Sequence, residues 1–232
     1  RYETVQALAR ALGEMKVPVF IAPGNHDFWS ARSPWSAGAW PENVHIFSRS
    51  SLEAVELPGL GCTVYGAAFT APACDQSPLK GFAAPEDGGL HLMVLHGDVD
   101  GRGRYGSIDR ADIAASGLDY LALGHIHACS GLQREGNTWW AYPGCPEGRG
   151  FDELGDKGVL VVEAEKGNVS ARFAPLCRRR YRMLTVDLSG GENPAEALAA
   201  ALPGDGENDI CRIILTGESG VEGLDLEALE AV

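Results

Sequence analysis

The sequence predicts an α/β (α+β) fold, with a first domain over residues 1–176 and a small α/β unit over residues 177–232. Three observations carry this reading. Apolar runs at residues 17–22, 92–95 and 118–123 read as buried strands. Each leads into a polar, glycine-bearing motif: Gly24-Asn25-His26-Asp27, His96-Gly97-Asp98 and Gly124-His125-Ile126-His127. Helical patterns alternate with the strands, as in a sheet built from β-α-β units. The loops at the carboxyl ends of strands in such sheets form the ligand crevice. The motifs therefore direct four histidines, one asparagine and two aspartates toward one place.

Val5, Leu8, Ala9, Leu12 and Met15 recur at helical spacing and predict an amphipathic helix ending near Gly13 and Glu14. With the strand at 17–22 it reads as the second half of a β-α-β unit, whose first strand is expected before Arg1. Residues 28–40, rich in Trp, Ser and Pro, form a loop or a short helix. Strand-like pieces at 44–47, 52–57 and 62–69 precede a Pro/Gly-rich surface loop at 72–89. A strand at 90–95 enters the second motif, a helix covers 108–116, and a strand at 118–123 enters the third. Residues 137–142, 158–164 and 169–173 read as strands of a closing sheet, with a turn at 165–168.

The pattern changes after Pro175. Residues 178–188 alternate like a strand, with Tyr181, Met183 and Thr185 opposite Arg182, Leu184 and Val186. An alanine-rich helix at 194–201 has Asn193 as its cap, a strand follows at 210–216, and a helix starts within 224–232.

Composition narrows the class. The apolar fraction of 45% is ordinary for a globular protein. No apolar run approaches the ~20 residues that cross a bilayer, and nothing resembles a signal peptide. Cys62, Cys74, Cys129, Cys145, Cys177 and Cys211 are scattered without a C-x-x-C pair. They read as reduced thiols in a cytoplasmic setting, most of them simply small apolar residues. A net charge of −13 argues against nonspecific nucleic-acid affinity across the whole surface. It leaves room for a local basic groove, and arginines do cluster at Arg102, Arg104 and Arg110 and again at Arg178, Arg179, Arg180 and Arg182.

The motifs suit a metal site. His125 and His127 are two apart, so in an extended segment both imidazoles face one side and can each serve one ion of a pair. Gly24 permits a backbone turn close to a ligand. Asn25 offers a neutral carbonyl oxygen, a hard donor suited to Mn²⁺ or Mg²⁺. That leaves His26 to act on substrate, with Asp27 positioned to hold its tautomer and stabilise its protonated form. His96 ends an apolar strand in the same crevice. Spacing leaves Asp98 open as a ligand, an acceptor behind a ligand, or a loop residue.

Other features read more plainly. His45 and His91 sit in exposed-looking strand positions and read as surface histidines. Trp29, Trp35 and Trp40 could stack on unpaired bases, but such a cluster more often packs under its own loop. The arginines at 178–182 suit a phosphate backbone or a solvated edge strand equally well.

Taken in order and after strands, Asn25-His26-Asp27, His96 and His125/His127 resemble the last three motifs of the calcineurin-like metallophosphoesterase superfamily. The likeness to DNA-repair exonucleases of the SbcD type is closer. Tyr142-Pro143-Gly144-Cys145-Pro146 and Gly155-Asp156-Lys157-Gly158 resemble that group's Y-P-G-S-P and G-E-K-G element, and Arg179-Arg180-Tyr181 enters a strand as its small capping domain does. The resemblance implies a β-sandwich flanked by helices and a two-metal hydrolase, its ions ~3.5–4 Å apart. It assigns Asn25, His96 and His125 to the second metal and His127 to the first, His26 to the scissile phosphate and the leaving oxygen, and Asp27 to orienting His26. It implies Mn²⁺ ahead of Mg²⁺ as the two divalent ions, DNA ends as substrate, Arg179 and Arg180 as DNA contacts, an SbcC-type coiled-coil ATPase as partner, and a homodimer. The family's D-x-H and G-D-x-x-D motifs belong ahead of the first helix, so the chain reads as N-terminally truncated, with incomplete metal occupancy expected. A nucleotide or phosphoprotein phosphoesterase, or a non-catalytic scaffold fragment, are the competing readings.

Overall fold

The computed structural model describes residues 2–189 and 193–218, together with Gly223, Asp225, Glu227 and Leu229. Helix α1 (Tyr2–Glu14) leads into β1 (Val19–Ile21), and after the single turn α2 (Pro34–Ala37), β2 (Val44–Ile46) lies parallel to β1. Then come β3 (Glu53–Leu57), β4 (Cys62–Gly66), β5 (Leu90–His96), β6 (Asp98–Val99), β7 (Ser107–Ile108), α3 (Arg110–Ala115), β8 (Tyr120–Gly124), β9 (Gln133–Glu135) and β10 (Thr138–Ala141). Six of these strands make the central sheet, in the order β3-β4-β5-β8-β10-β9. Its four inner strands are mutually parallel, and β3 and β9 run antiparallel at the two edges.

The two-residue period of a strand sorts the side chains of β5 onto two faces. On one face Met93 and Leu95 join Leu79, Ile113, Leu121 and Trp140 in the main core. On the other, Leu90, Leu92 and Val94 pack with Phe20 and Ala22 beside β1 and with Phe47 just after β2. His96 continues this second row and leaves the sheet at the carboxyl end of β5. The hairpin of β11 (Gly158–Glu165) and β12 (Asn168–Pro175) contributes Leu160 and Val162 to a cavity of about 320 Å³ that Ala22, Val94, Ala122 and His96 also line. The result is a mixed α/β fold with a central mixed sheet, a second β layer and few helices.

Contacts divide the chain into two compact units: Arg1–Gly144 with Leu160–Phe173, and Cys145–Val159 with Ala174–Val232. The sequence places a single boundary between 176 and 177, whereas the contacts also group 145–159 with the C-terminal residues. Within the second unit, β13 (Tyr181–Asp187) and β14 (Ile210–Thr216) pair in parallel and α4 (Pro194–Ala201) connects them. Asn193 caps α4, its Oδ1 accepting the Ala195 N–H at 3.0 Å. Val186, Leu188 and Leu198 form this unit's core. The helix expected within 224–232 falls largely outside the described residues.

Some expectations change. The predicted apolar face of α1 is only partly covered: Ala9 is buried, but Leu8 is 42% and Met15 56% exposed. His91 is not on the surface but fully buried, with Nε2 3.0 Å from Asp87 Oδ1 and Nδ1 3.3 Å from the Tyr65 hydroxyl. Its place on the core face of β5 dictates the burial, and these partners satisfy the ring. His45 is half-buried against the Phe47 ring. Among the described residues, no helix is long and apolar enough to cross a membrane.

Candidate active site

Parallel order is what assembles the site. Strands β5, β8 and β10 are neighbours, and His96 lies directly opposite Gly124 in the register. Their carboxyl ends therefore discharge His96, His125 and Tyr142 side by side. The loop after β1 closes in from the second layer. Its Gly24 lies flat against the His96 ring: a Cβ there would sit 2.5 Å from Nδ1 and 2.6 Å from Cε1. Only glycine lets the ring in.

His96 Nε2 then lies 2.8 Å from Asn25 Oδ1, with Asn25 buried at 8% exposure. The His96 and His125 rings are 5.1 Å apart, centroid to centroid. His125 adopts φ 116°, a backbone region that side-chain-bearing residues rarely enter and that costs of order 1–3 kcal/mol. Burial holds His96 down to about 4, and the neighbouring His125, His26 and His127 push it the same way. Burial also lowers His125, while the negative charge of Asp98 opposes the shift and His127 and His26 add to it. His26 and His127 thus share one electrostatic neighbourhood with these two half-buried residues, and both are themselves exposed.

A neutral His96 keeps a lone pair at neutral pH. Two donors bound to one ion at about 2.0–2.2 Å stand roughly 3 Å apart, close to the His96–Asn25 separation. This imidazole and carbonyl set fits a divalent cation, and His125 lies beside it.

Asp27 has a different partner from the one expected. Its Oδ1 accepts the Gly24 N–H at 2.9 Å, and no hydrogen bond joins it to His26 among the described residues. A local turn bond from a short carboxylate outcompetes the reach to the next ring. Asp27 therefore fixes the turn that lays Gly24 against His96.

Two supports escaped the sequence reading as structural parts. Tyr142 sits at the end of β10, where its hydroxyl donates to the Gly97 carbonyl at 2.7 Å and accepts the Val99 N–H at 2.9 Å. Burial drives its pKa up to about 12, so the hydroxyl stays protonated and can donate. Gly144 has φ 83°, and a Cβ there would meet the His127 carbonyl at 2.9 Å and the Cys129 nitrogen at 3.1 Å. The Tyr-Pro-Gly element thus buttresses the loops after both β5 and β8. A tyrosine closing an apolar strand before Pro-Gly was the available signal. The tryptophans pack within their own loop: Trp35 and Trp40 rings lie 5.7 Å apart, and Trp35 Nε1 donates to the Asp27 carbonyl at 2.6 Å.

The arginine run belongs to the second unit and faces carboxylates. Arg180 pairs with Asp209 at 3.0 Å, Asp205 at 3.2 Å and Asp156 at 3.7 Å, and Arg182 reaches Asp209 and Asp205. Hydrogen bonds from Arg180 hold the Asp209 carboxyl below its ordinary range, with Arg182 adding to them. Arg180 is thus committed inside its own unit. Arg179 is 54% exposed and lies 3.5 Å from Glu147.

Histidines clustered at the ends of parallel strands, met by an asparagine from the loop after β1, suit a metal-dependent phosphoesterase scaffold. Residues 1–129 match the calcineurin-like phosphoesterase family, and the chain belongs to it. It is 31% identical over 188 residues to a protein of Bacillus subtilis (strain 168) described as "Uncharacterized metallophosphoesterase YhaO". That match covers 78% of this chain and 45% of the relative, so the chain spans about half the relative's length.

Proposed function

We propose that this phosphoesterase acts on phosphodiesters and serves as the exonuclease subunit of a DNA double-strand-break repair system, in the manner of the SbcD group. The observation that carries the reading is the Tyr142-Pro143-Gly144 element. It is the part of the sequence that most resembles that group, and its tyrosine and glycine brace the two site loops. Asn25, His96 and His125 would hold one divalent ion and His127 would serve its neighbour, and a nitrogen and oxygen donor set favours Mn²⁺ over the thiolate-loving metals. Such ions supply Lewis acidity at a phosphoryl oxygen and lower the pKa of water.

His26 stands exposed at the mouth, where it can hydrogen-bond a phosphoryl oxygen and pass a proton to the leaving oxygen. Arg179, with its side chain 54% exposed, has room to meet a phosphate of the strand. A coiled-coil ATPase of the SbcC type, a homodimer and a cytoplasmic setting complete the proposal.

Hydrolysis of single-stranded and blunt duplex DNA with Mn²⁺, beside a phosphomonoester, by a version that carries the D-x-H and G-D-x-x-D motifs ahead of the first helix, is the deciding assay. DNA cleavage that His26→Ala lowers by about 10²–10⁴-fold while Mn²⁺ binding survives supports the assignment. Strong monoesterase activity without DNA cleavage would move the protein to nucleotide or phosphoprotein substrates. Loss of Mn²⁺ in the variant would make His26 a ligand.

A further inference from the structure

The loop that carries His26 is tied at both ends by one residue outside the motifs. The Phe69 N–H donates to the Pro23 carbonyl at 2.9 Å, and the Phe69 carbonyl accepts the Trp29 N–H at 2.7 Å. The buried Phe69 ring meets the His96 ring edge-on at 5.2 Å. Residues 24–28 thus form a closed loop, yet five residues between fixed ends still have backbone freedom to lose. Asn25 loses it by burial and by lying 2.8 Å from His96 Nε2. His26 has no such hold: it is exposed, and its ring makes no hydrogen bond among the described residues.

The pose of His26 is therefore set by its chain neighbours, and Asp27 is held twice. Its Oδ1 accepts the Gly24 N–H, and its carbonyl accepts the Trp35 indole N–H at 2.6 Å. The indole stands on a fixed frame. The hydroxyls of Ser33 and Ser36 both donate to the Ser30 carbonyl, at 2.9 and 2.7 Å, around the start of α2. The Trp40 ring packs against the Trp35 ring, and Trp40 Nε1 donates to the Trp35 carbonyl at 3.0 Å. A pair of indoles packed only for burial needs no directed donors. Here each N–H is spent on a carbonyl, from residue 40 to 35 and from 35 to 27, and the second bond ends beside His26.

We propose that Trp35 is a positioning residue for His26: by holding the Asp27 carbonyl, its indole N–H sets the pose from which His26 meets the phosphoryl group. This rests on the role given to His26 in the phosphodiesterase reading above. The ligand candidates are secured by other contacts, Asn25 and His96 by each other and His96 by Gly24 and Phe69. Loss of the indole N–H should therefore loosen His26 and spare the metal site. Misplacing a reacting group by 1 Å costs about 10²-fold in rate, which bounds the effect below that of removing the imidazole.

The test replaces Trp35 by Phe, which removes the N–H, and by 3-benzothienylalanine, which keeps the ring's shape with sulfur in place of the N–H. Cleavage of a single-stranded oligodeoxynucleotide with Mn²⁺ is measured in the version that carries the D-x-H and G-D-x-x-D motifs, and Mn²⁺ binding by calorimetry. Both changes should lower kcat by about 10- to 10²-fold and leave KM and the Mn²⁺ Kd unchanged. Added to His26→Ala, Trp35→Phe should cost nothing further. With His26→Ala impaired, a further loss in the double variant or a wild-type kcat in either single one would overturn the proposal. Weakened Mn²⁺ binding would also overturn it and make Trp35 a support of the whole motif. A readout independent of activity is the NMR signal of the His26 Cε1–H in the benzothienyl protein, which should move while that of His96 stays. An unmoved His26 signal overturns the proposal whatever the rates. A His26→Ala variant as active as the wild type sinks the role of His26 instead, and a His26 signal that still moves then retains Trp35 as the residue that sets its pose.

Discussion

A single methyl group at Gly24 should dismantle the proposed metal site without replacing a ligand. The Cβ of Gly24→Ala would stand 2.5 Å from His96 Nδ1 and 2.6 Å from Cε1. Non-bonded heavy atoms settle at about 3.5–4.0 Å, so the ring must retreat by about 1 Å. The ring is rigid, so Nε2 moves with it. That nitrogen is now 2.8 Å from Asn25 Oδ1, and a retreat of that size takes the pair out of hydrogen-bond range. Disturbing the orientation of a ligand costs about 10–100-fold in metal affinity, and misplacing reacting groups by 1 Å costs about 10²-fold in rate. Overpacking also costs about 1–3 kcal/mol of stability, which calorimetric melting separates from the site effect. Isothermal titration with Mn²⁺ and phosphodiester hydrolysis supply the readings. Gly59→Ala is the control, because a Cβ there meets nothing within 4 Å. If Gly24→Ala binds Mn²⁺ as tightly as the wild type, Gly24 does not position His96 and the site must be rebuilt around other ligands.

Two further changes probe the supports. Tyr142→Phe removes the hydroxyl shared by the Gly97 carbonyl and the Val99 N–H, so it should cost about 1–3 kcal/mol in thermal melts and weaken Mn²⁺ binding as well; unchanged values of both would make the hydroxyl incidental. Asp209, held below its ordinary pKa by Arg180, stabilises its unit above about pH 4 and releases that stability as pH falls through its lowered pKa. Acid melts of the wild type should therefore show a loss that Asp209→Asn lacks, with the variant already weaker at neutral pH. Parallel pH profiles would remove Asp209 from the account.

What could be read from the sequence was local. The runs at 90–95 and 118–123 are largely apolar, broken by His91 and Asp119, because both faces of the inner parallel strands are covered, and they announce themselves. The strand at 210–216 and the helix at 194–201 with its Asn193 cap follow from alternation and from a side chain two residues from the group it binds. What escaped was decided at long range or by very short elements. Strands β6, β7 and β9 have two or three residues and too few apolar positions to show a period. His91 looks like a surface residue until Asp87 and Tyr65 arrive to satisfy its ring. Arg180 reads as an open cation because Asp205 and Asp209 lie more than twenty residues away. Asp27 failed for the opposite reason: a bond to a nearer backbone group outcompeted the expected one.

The site itself depends on strand order more than on any one motif. Because β5, β8 and β10 are adjacent and parallel, His96, His125 and Tyr142 leave the sheet together. Register alone, however, fixes only where the chains emerge. The directions of the loops are set by three close approaches: Gly24 on the His96 ring, Gly144 on the backbone of His127 and Cys129, and the Tyr142 hydroxyl between Gly97 and Val99. None of the groups that make these approaches is itself assigned to metal binding or proton transfer. Each nonetheless determines where one that does is held. The burial that follows keeps His96 neutral, and neutrality is what makes it a donor to a cation. The same packing therefore supplies geometry and ionisation state together, and a change that loosens it should degrade both at once.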